Sequence, residues 1–184
     1  MRTCLSVTRK FGLFFAMALL ALQGAPAAAD SGSGTFVHTT KGEKPFLITF
    51  KDVYAFRAED TDKNKTQVTV VIFSESPMDK KAMTATLKKE RDELELVVDM
   101  DPNRAAYARI VIYPNGEIRA YQFYSRRITE SSPGGEGHAK VNTATRVEGS
   151  YSSSYSGNNW AYKLDLRFAT DLADIGPGAP VKVR

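Results

Sequence analysis

Cysteine is almost missing from this chain of 184 residues: Cys4 is the single one. An intrachain disulfide framework and a zinc site built on several thiolates are thereby excluded. Histidine is nearly as scarce, with His38 and His138 alone, and neither stands in an H-E-x-x-H arrangement. No G-x-S-x-G elbow occurs, and "GGEG" at 134–137 lacks the G-K-[ST] ending of a phosphate loop. Ser132 and His138 form the one conceivable nucleophile–base pair, since such groups assemble through space. A solvated loop histidine is the simpler account, and with so little catalytic chemistry the chain reads as non-enzymatic.

Long apolar runs are also few. "FGLFFAMALLAL" at 11–22 is too short for a membrane span, which needs roughly 20 residues. It follows Arg2, Arg9 and Lys10 and precedes the small residues Ala27 and Ala29. That is the form of a secretory signal peptide over residues 1–29, cleaved after Ala27 or Ala29. Cys4 precedes the apolar run, out of place for a lipoprotein cleavage site, and leaves with the leader. The expected address is therefore the periplasm or the exterior of a bacterial cell, with no transmembrane segment once the leader is removed.

An excess of one charge is missing too. Three of the 25 Lys and Arg residues lie in the leader, which leaves 22 against 21 Asp and Glu. A nearly neutral mature chain lacks the basic stripe that nucleic acid requires. The expected partners are an extracellular or envelope protein or a glycan.

What is present is mainly β pattern. "DSGSG" at 30–34 reads as a flexible tether. "FLITFKDVYAFRA" reads as one long strand with Phe46, Ile48, Phe50, Tyr54 and Phe56 on one face and a bend or bulge at Asp52. "QVTVVIFS" at 67–74 is apolar on both faces, as in the middle of a fold. From Ser76 the period changes: Ser76 as N-cap, Pro77 at the first helical position and a stripe of Met78, Ala82, Ala85 and Lys89 predict one helix of about four turns. "LELVVDM" at 94–100 and "TATRVEGSYSS" at 143–153 return to strand. In "WAYKLDLRFAT" Trp160, Tyr162, Leu164, Leu166 and Phe168 face one way while Lys163, Asp165 and Arg167 face the other, a core strand with one wet face. The sum is a single-domain antiparallel β-sandwich or barrel-like sheet of about eight strands over 35–174, with one helix and a loose tail at 175–184.

Two groups of residues point to sites. In "ARIVIYPNGEIRAYQFYSRR", Pro114 and Gly116 predict a tight turn that pairs Tyr113 with Glu117. Continuing that ladder pairs Val111 with Arg119, Arg109 with Tyr121 and Tyr107 with Phe123. Tyr107, Arg109, Arg119, Tyr121 and Phe123 then share the exposed face, where aromatic rings beside guanidinium groups can stack on sugars or hold an anion. The second group is oxygen-rich: Asp60, Asp62 and Asn64 in one loop, Asp99 and Asp101 with Asn103 in another. Alternate spacing lets a loop aim several oxygens at a hard cation, Ca²⁺ above others, although the rest of an EF-hand is absent. Simple strand alternation places both acidic loops at one end. It places the Ser- and Tyr-rich segment "GSYSSSYSGNNW" at the other, beside the Pro114 turn, as an adaptable hairpin loop. Two functions follow as expectations: a non-enzymatic binding domain, or a calcium-stabilised structural module.

Overall fold

A computed structural model of the chain describes residues 30–93, 105–125, 127–132 and 134–183, with the backbone alone at 119, 120 and 132. Among them run β1 (Ser31–Thr40), β2 (Phe46–Phe50), β3 (Asp52–Asp60), β4 (Thr66–Ser74), α1 (Lys80–Glu90), β5 (Tyr107–Ile112), β6 (Ile118–Tyr124), β7 (Thr129–Ser132), β8 (Glu136–Asn142), β9 (Arg146–Ser156), β10 (Trp160–Asp171) and β11 (Lys182–Val183). One sheet has the order β2-β1-β10-β9-β8 and the other β11-β3-β4-β5-β6-β7. The fold is thus the expected mainly-β sandwich with one helix.

The alternation in β10 dictates the first sheet. Tyr162, Leu164, Leu166 and Phe168 are buried, while Lys163 and Arg167 are exposed on the outer face. The second sheet packs on that inner face through Val53, Ala55, Val71, Phe73, Ala108, Ile110, Tyr121 and Phe123. Because β4 lies inside the second sheet, its other face is apolar as well. Val68, Val70 and Ile72 join Tyr54, Phe56, Met83, Leu87, Ile175, Val181 and Val183 in a second core. The layers are therefore sheet, sheet, and a cover made of α1 and the C-terminal segment.

Three expectations about the chain's course are corrected. The "DSGSG" segment is no tether: Ser31 pairs with Ala169 and the register continues to Thr40 opposite Trp160. Its glycines are there for closeness, since a Cβ on Gly32 would overlap the Val53 side chain and one on Gly34 the backbone of Asp165. Gly32→Ala is accordingly expected to cost about 1–3 kcal/mol by overpacking. In a free tether the same change would be neutral or slightly stabilising, and a urea midpoint distinguishes the two signs. Next, the strand 46–58 is two strands, β2 and β3, which belong to different sheets and turn the corner at Lys51. The Asp52 carboxylate fastens that corner by accepting from the N–H of Met78 at 2.8 Å and pairing with Lys80 Nζ at 3.0 Å. Finally, the tail is not loose. Lys182 and Val183 pair in parallel with Glu59 and Asp60, and Val181 and Val183 are buried. The split strand and the unforeseen β7, β8 and β11, with 94–100 outside the described residues, take the count from about eight to eleven among the described residues.

The helix begins later than Ser76 and Pro77 suggest. Asp79 is the N-cap, accepting from Ala82 N–H, and Arg91 closes the C-terminus in the left-handed conformation at φ 55°. Met83 and Leu87 form its buried stripe, in place of Ala82 and Ala85. No described helix is long and apolar enough to cross a membrane. The strand expected at 94–100 and the leader at 1–29 lie outside the described residues.

Candidate functional site

The Pro114 turn forms as its residues require. Gly116 takes φ 84°, its N–H reaches Tyr113 O at 2.9 Å, and Tyr113 N–H reaches Glu117 O at 2.9 Å. Beyond the turn the ladder departs from strict alternation. Ile112 pairs with Ile118, but Val111 pairs with Ala120, so Arg119 is an extra residue bulged out of register. Every later pair shifts by one: Ile110 meets Tyr121, Arg109 meets Gln122, Ala108 meets Phe123 and Tyr107 meets Tyr124. The expected exposed set is thereby divided. Tyr121 and Phe123 are buried in the core, with the Phe123 ring 3.8 Å from that of Phe36. Tyr107 and Arg109 point to the opposite side of the sheet. The reason is burial: in the unbulged register Ala120 and Gln122 would face the core, whereas the bulge puts two large rings there, each worth about 1.5–3 kcal/mol.

Arg109 is buried as well. Its Nη2 donates to Glu93 Oε2 at 2.7 Å, its Nε to Glu93 Oε1, and its Nη1 to Gln122 Oε1 at 2.8 Å. Burial pushes the Glu93 carboxyl up, against the pull of the guanidinium. Tyr107 stacks on Tyr124 with centroids 4.7 Å apart. This cluster is a desolvated ion pair under the sheet's outer layer, a structural element rather than a wet binding face.

In the acidic loop at 60–64 the Asp60 carboxylate is engaged internally. Asp60 Oδ1 accepts from the N–H groups of Asp62 and Lys63, and its Oδ2 accepts from the Tyr113 hydroxyl at 2.7 Å. Asp62 and Asn64 are exposed, with Asn64 at φ 54°. Asp99 and Asp101 lie outside the described residues. No group of three or more His, Cys, Asp or Glu suited to a metal occurs among the described residues. The Tyr113–Asp60 bond also places the Pro114 turn at the acidic-loop end, with Asn142 Nδ2 donating to Tyr113 O at 3.0 Å. The turn therefore does not neighbour the far end of β9. The expected hairpin loop "GSYSSSYSGNNW" is itself mostly that strand, and only Gly157, Asn158 and Asn159 turn. Ser132 closes β7 opposite Tyr121, while His138 sits exposed in β8 opposite Ser150; they belong to different sheets.

The surface that stands out was not on the expected face. Along the first sheet's inner side, Phe46 pairs with His38, His38 with Tyr162 and Tyr162 with Tyr155. Four strands thus contribute one aromatic row. Trp160 lies beside it: its ring is 5.7 Å and 17° from His38, 6.0 Å and 22° from Tyr162, and 4.4 Å and 33° from Tyr155. Tyr162 is the buried floor, but Tyr155 and Trp160 are 45% and 36% exposed. Here the first sheet outruns the second, and its inner face becomes an open aromatic shelf. The rim is polar. The β1–β2 turn carries Lys41, Glu43 and Lys44 and is tied to the β9–β10 turn by Lys41 N–H to Asn159 O at 2.9 Å. On the other flank the Arg127 guanidinium sits 5.6 Å from the centre of the Phe46 ring. Sequence reading placed Trp160 and Tyr162 on one face correctly. The missed signal was that His38 in "TFVHTT" and Tyr155 in the serine-rich run share that parity.

Burial holds several phenols away from ionisation. Tyr54, Tyr107 and Tyr121 are raised above the ordinary value of 10, and Tyr151 is pushed up to about 12, all chiefly by desolvation. A raised phenol favours the fold in its protonated form. That stability is complete below the unfolded value of 10 and is lost as pH rises above it. The melting temperature is therefore expected to fall steeply above pH 10, with part of the tyrosinate absorbance appearing only as the fold melts; phenols that all ionise before unfolding would contradict it.

No protein-family model, no curated protein and no solved structure matches the chain. What the fold and its surface define is a two-sheet β domain with an open aromatic shelf at one end.

Proposed function

We propose that the chain is an exported, non-enzymatic binding module, and that its ligand is a glycan of the envelope or the surrounding medium held on the aromatic shelf. The observation that carries this reading is Trp160, near-parallel to the His38 and Tyr162 rings, tilted by 33° against Tyr155 and still 36% exposed. Near-parallel rings offer flat, apolar, electron-rich faces that match the C–H faces of a pyranose. The Ser, Asn and Lys groups around them supply hydrogen-bond partners for hydroxyls.

Trp160 is the chain's single tryptophan, so ligand stacking reads out directly in intrinsic fluorescence. Titration with a panel of soluble cello-, chito- and uronate oligosaccharides is expected to shift or quench that signal for at least one of them. Tyr155→Ala is expected to weaken binding by about tenfold, in line with an aromatic stack of roughly 1 kcal/mol or more, without moving the melting temperature much. Calorimetry on Trp160→Ala, where fluorescence is lost, should show the same or a larger loss. No response to any sugar, or binding that survives both changes, would refute the reading.

A further inference from the structure

Resting on the shelf as a sugar-binding surface, its charge names the sugar class: we propose that the glycan is acidic, a uronate or sulfated pyranose, with its anionic group on Arg127. Arg127 is exposed on the β6–β7 turn and takes part in no ion pair among the described residues. With its central carbon 5.6 Å from the Phe46 ring centre and no ion pair among the described residues, the exposed guanidinium can fork its N–H groups onto a carboxylate or sulfate. Phe46 in turn adjoins His38, and His38 adjoins Trp160. A pyranose stacked on the His38–Trp160–Tyr155 part of the shelf therefore has Arg127 at its edge rather than beneath it.

The rest of the rim agrees. Lys41 and Lys44 stand against Glu43 in the β1–β2 turn, and the neighbouring turn, Gly157-Asn158-Asn159, carries no charge. Among the described residues of this rim Arg127, Lys41 and Lys44 outnumber Glu43 and Glu130, in a molecule that is otherwise close to neutral. An anionic bilayer would also meet such charges, but bilayer attachment needs large apolar side chains at protruding tips. The tips here are Lys, Gly, Glu and Asn, and the rings face inward along the sheet. A rigid, flat, acidic ring fits this arrangement better than a lipid surface.

The test compares oligogalacturonate with cello-oligosaccharide of equal length, by fluorescence and calorimetry on the same chain. The uronate is expected to bind at least about tenfold more tightly, the scale of one charge-assisted contact, and to weaken as salt rises. Arg127→Gln should abolish that preference while leaving the neutral sugar's affinity and the melting temperature unchanged. Lys163→Gln, on the sheet's opposite face, serves as a control and should change nothing. Equal binding of the two sugars, or a preference that survives Arg127→Gln, overturns the acidic-sugar inference but leaves the shelf as a sugar site. Binding of neither, or attachment to phosphatidylglycerol vesicles alone, overturns both.

Discussion

Arg109→Met is expected to cost about 3–5 kcal/mol, because it strands the Glu93 carboxylate in a site too dry to hold an unpaired charge. Globular domains are stable by only about 5–15 kcal/mol, so the variant would fold marginally at neutral pH. The charge, not the lost side-chain volume, is the cause, and two measurements separate them. Replacing both partners, Arg109→Met with Glu93→Leu, should recover most of the loss, since buried pairs are often exchanged for apolar groups at little net cost. The single variant should also regain stability as pH falls. With the guanidinium gone, burial, and after it the neighbouring Asp92 charge, raise the Glu93 carboxyl further above the ordinary 4.5. The folded state then takes up the proton first, so the deficit shrinks as pH descends toward that value. Urea midpoints at constant slope, taken at pH 7 and pH 5, decide the matter; a single variant whose loss is small and independent of pH would show that Glu93 is not desolvated by the fold.

Phe123→Ala is expected to cost a similar amount, about 3–5 kcal/mol, as for other large rings removed from a core. Its ring is fully buried, 3.8 Å from Phe36 and 6.2 Å from Phe50 between centroids, where three strands of two sheets meet. This substitution also tests the bulge at Arg119. In strict alternation from Ile118, Phe123 would face outward and its loss would be felt by a few tenths of a kcal/mol, as for an exposed sheet position. Gln122→Ala, in contrast, removes one acceptor from Arg109 and should be the milder change. A large effect at 122 with a small one at 123 would mean that the unbulged register is correct.

The bulge also marks where sequence reading stops working. Alternation is a rule about neighbours, and it served well in β10, where Tyr162, Leu164, Leu166 and Phe168 are buried in order. It served for β4, whose doubly apolar pattern follows from lying between two cores. It failed in β6, where one inserted residue exchanged the faces and took Tyr121 and Phe123 away from Arg109. The price of missing a bulge is a wrong face for every later residue. Glycines misled in another way. Gly32 and Gly34 look like linker residues, yet Gly32 is an absent side chain where the two sheets approach, and Gly34 one where β1 lies against β10 of its own sheet. The shelf was only half legible. The parity of Trp160 and Tyr162 is in the sequence, but that the second sheet ends short of them depends on the lengths of both sheets. Turn chemistry travelled best: Pro114 and Gly116 behave as their residue types demand.

The pairing of β1 with β10 carries a consequence for the time at which this molecule can exist. Ser31 sits beside Ala169, and Lys182 beside Glu59, so each sheet joins segments that lie far apart in the sequence. Loop closure over such separations is slow, and contacts of this kind put folding toward the millisecond-to-second range. A chain cut before Trp160 leaves β1 paired with β2 alone and takes the buried side chains of β10 out of the central core. Assembly therefore waits for β10, and a product cut before it should be recovered as an unfolded, protease-sensitive chain rather than as a smaller domain.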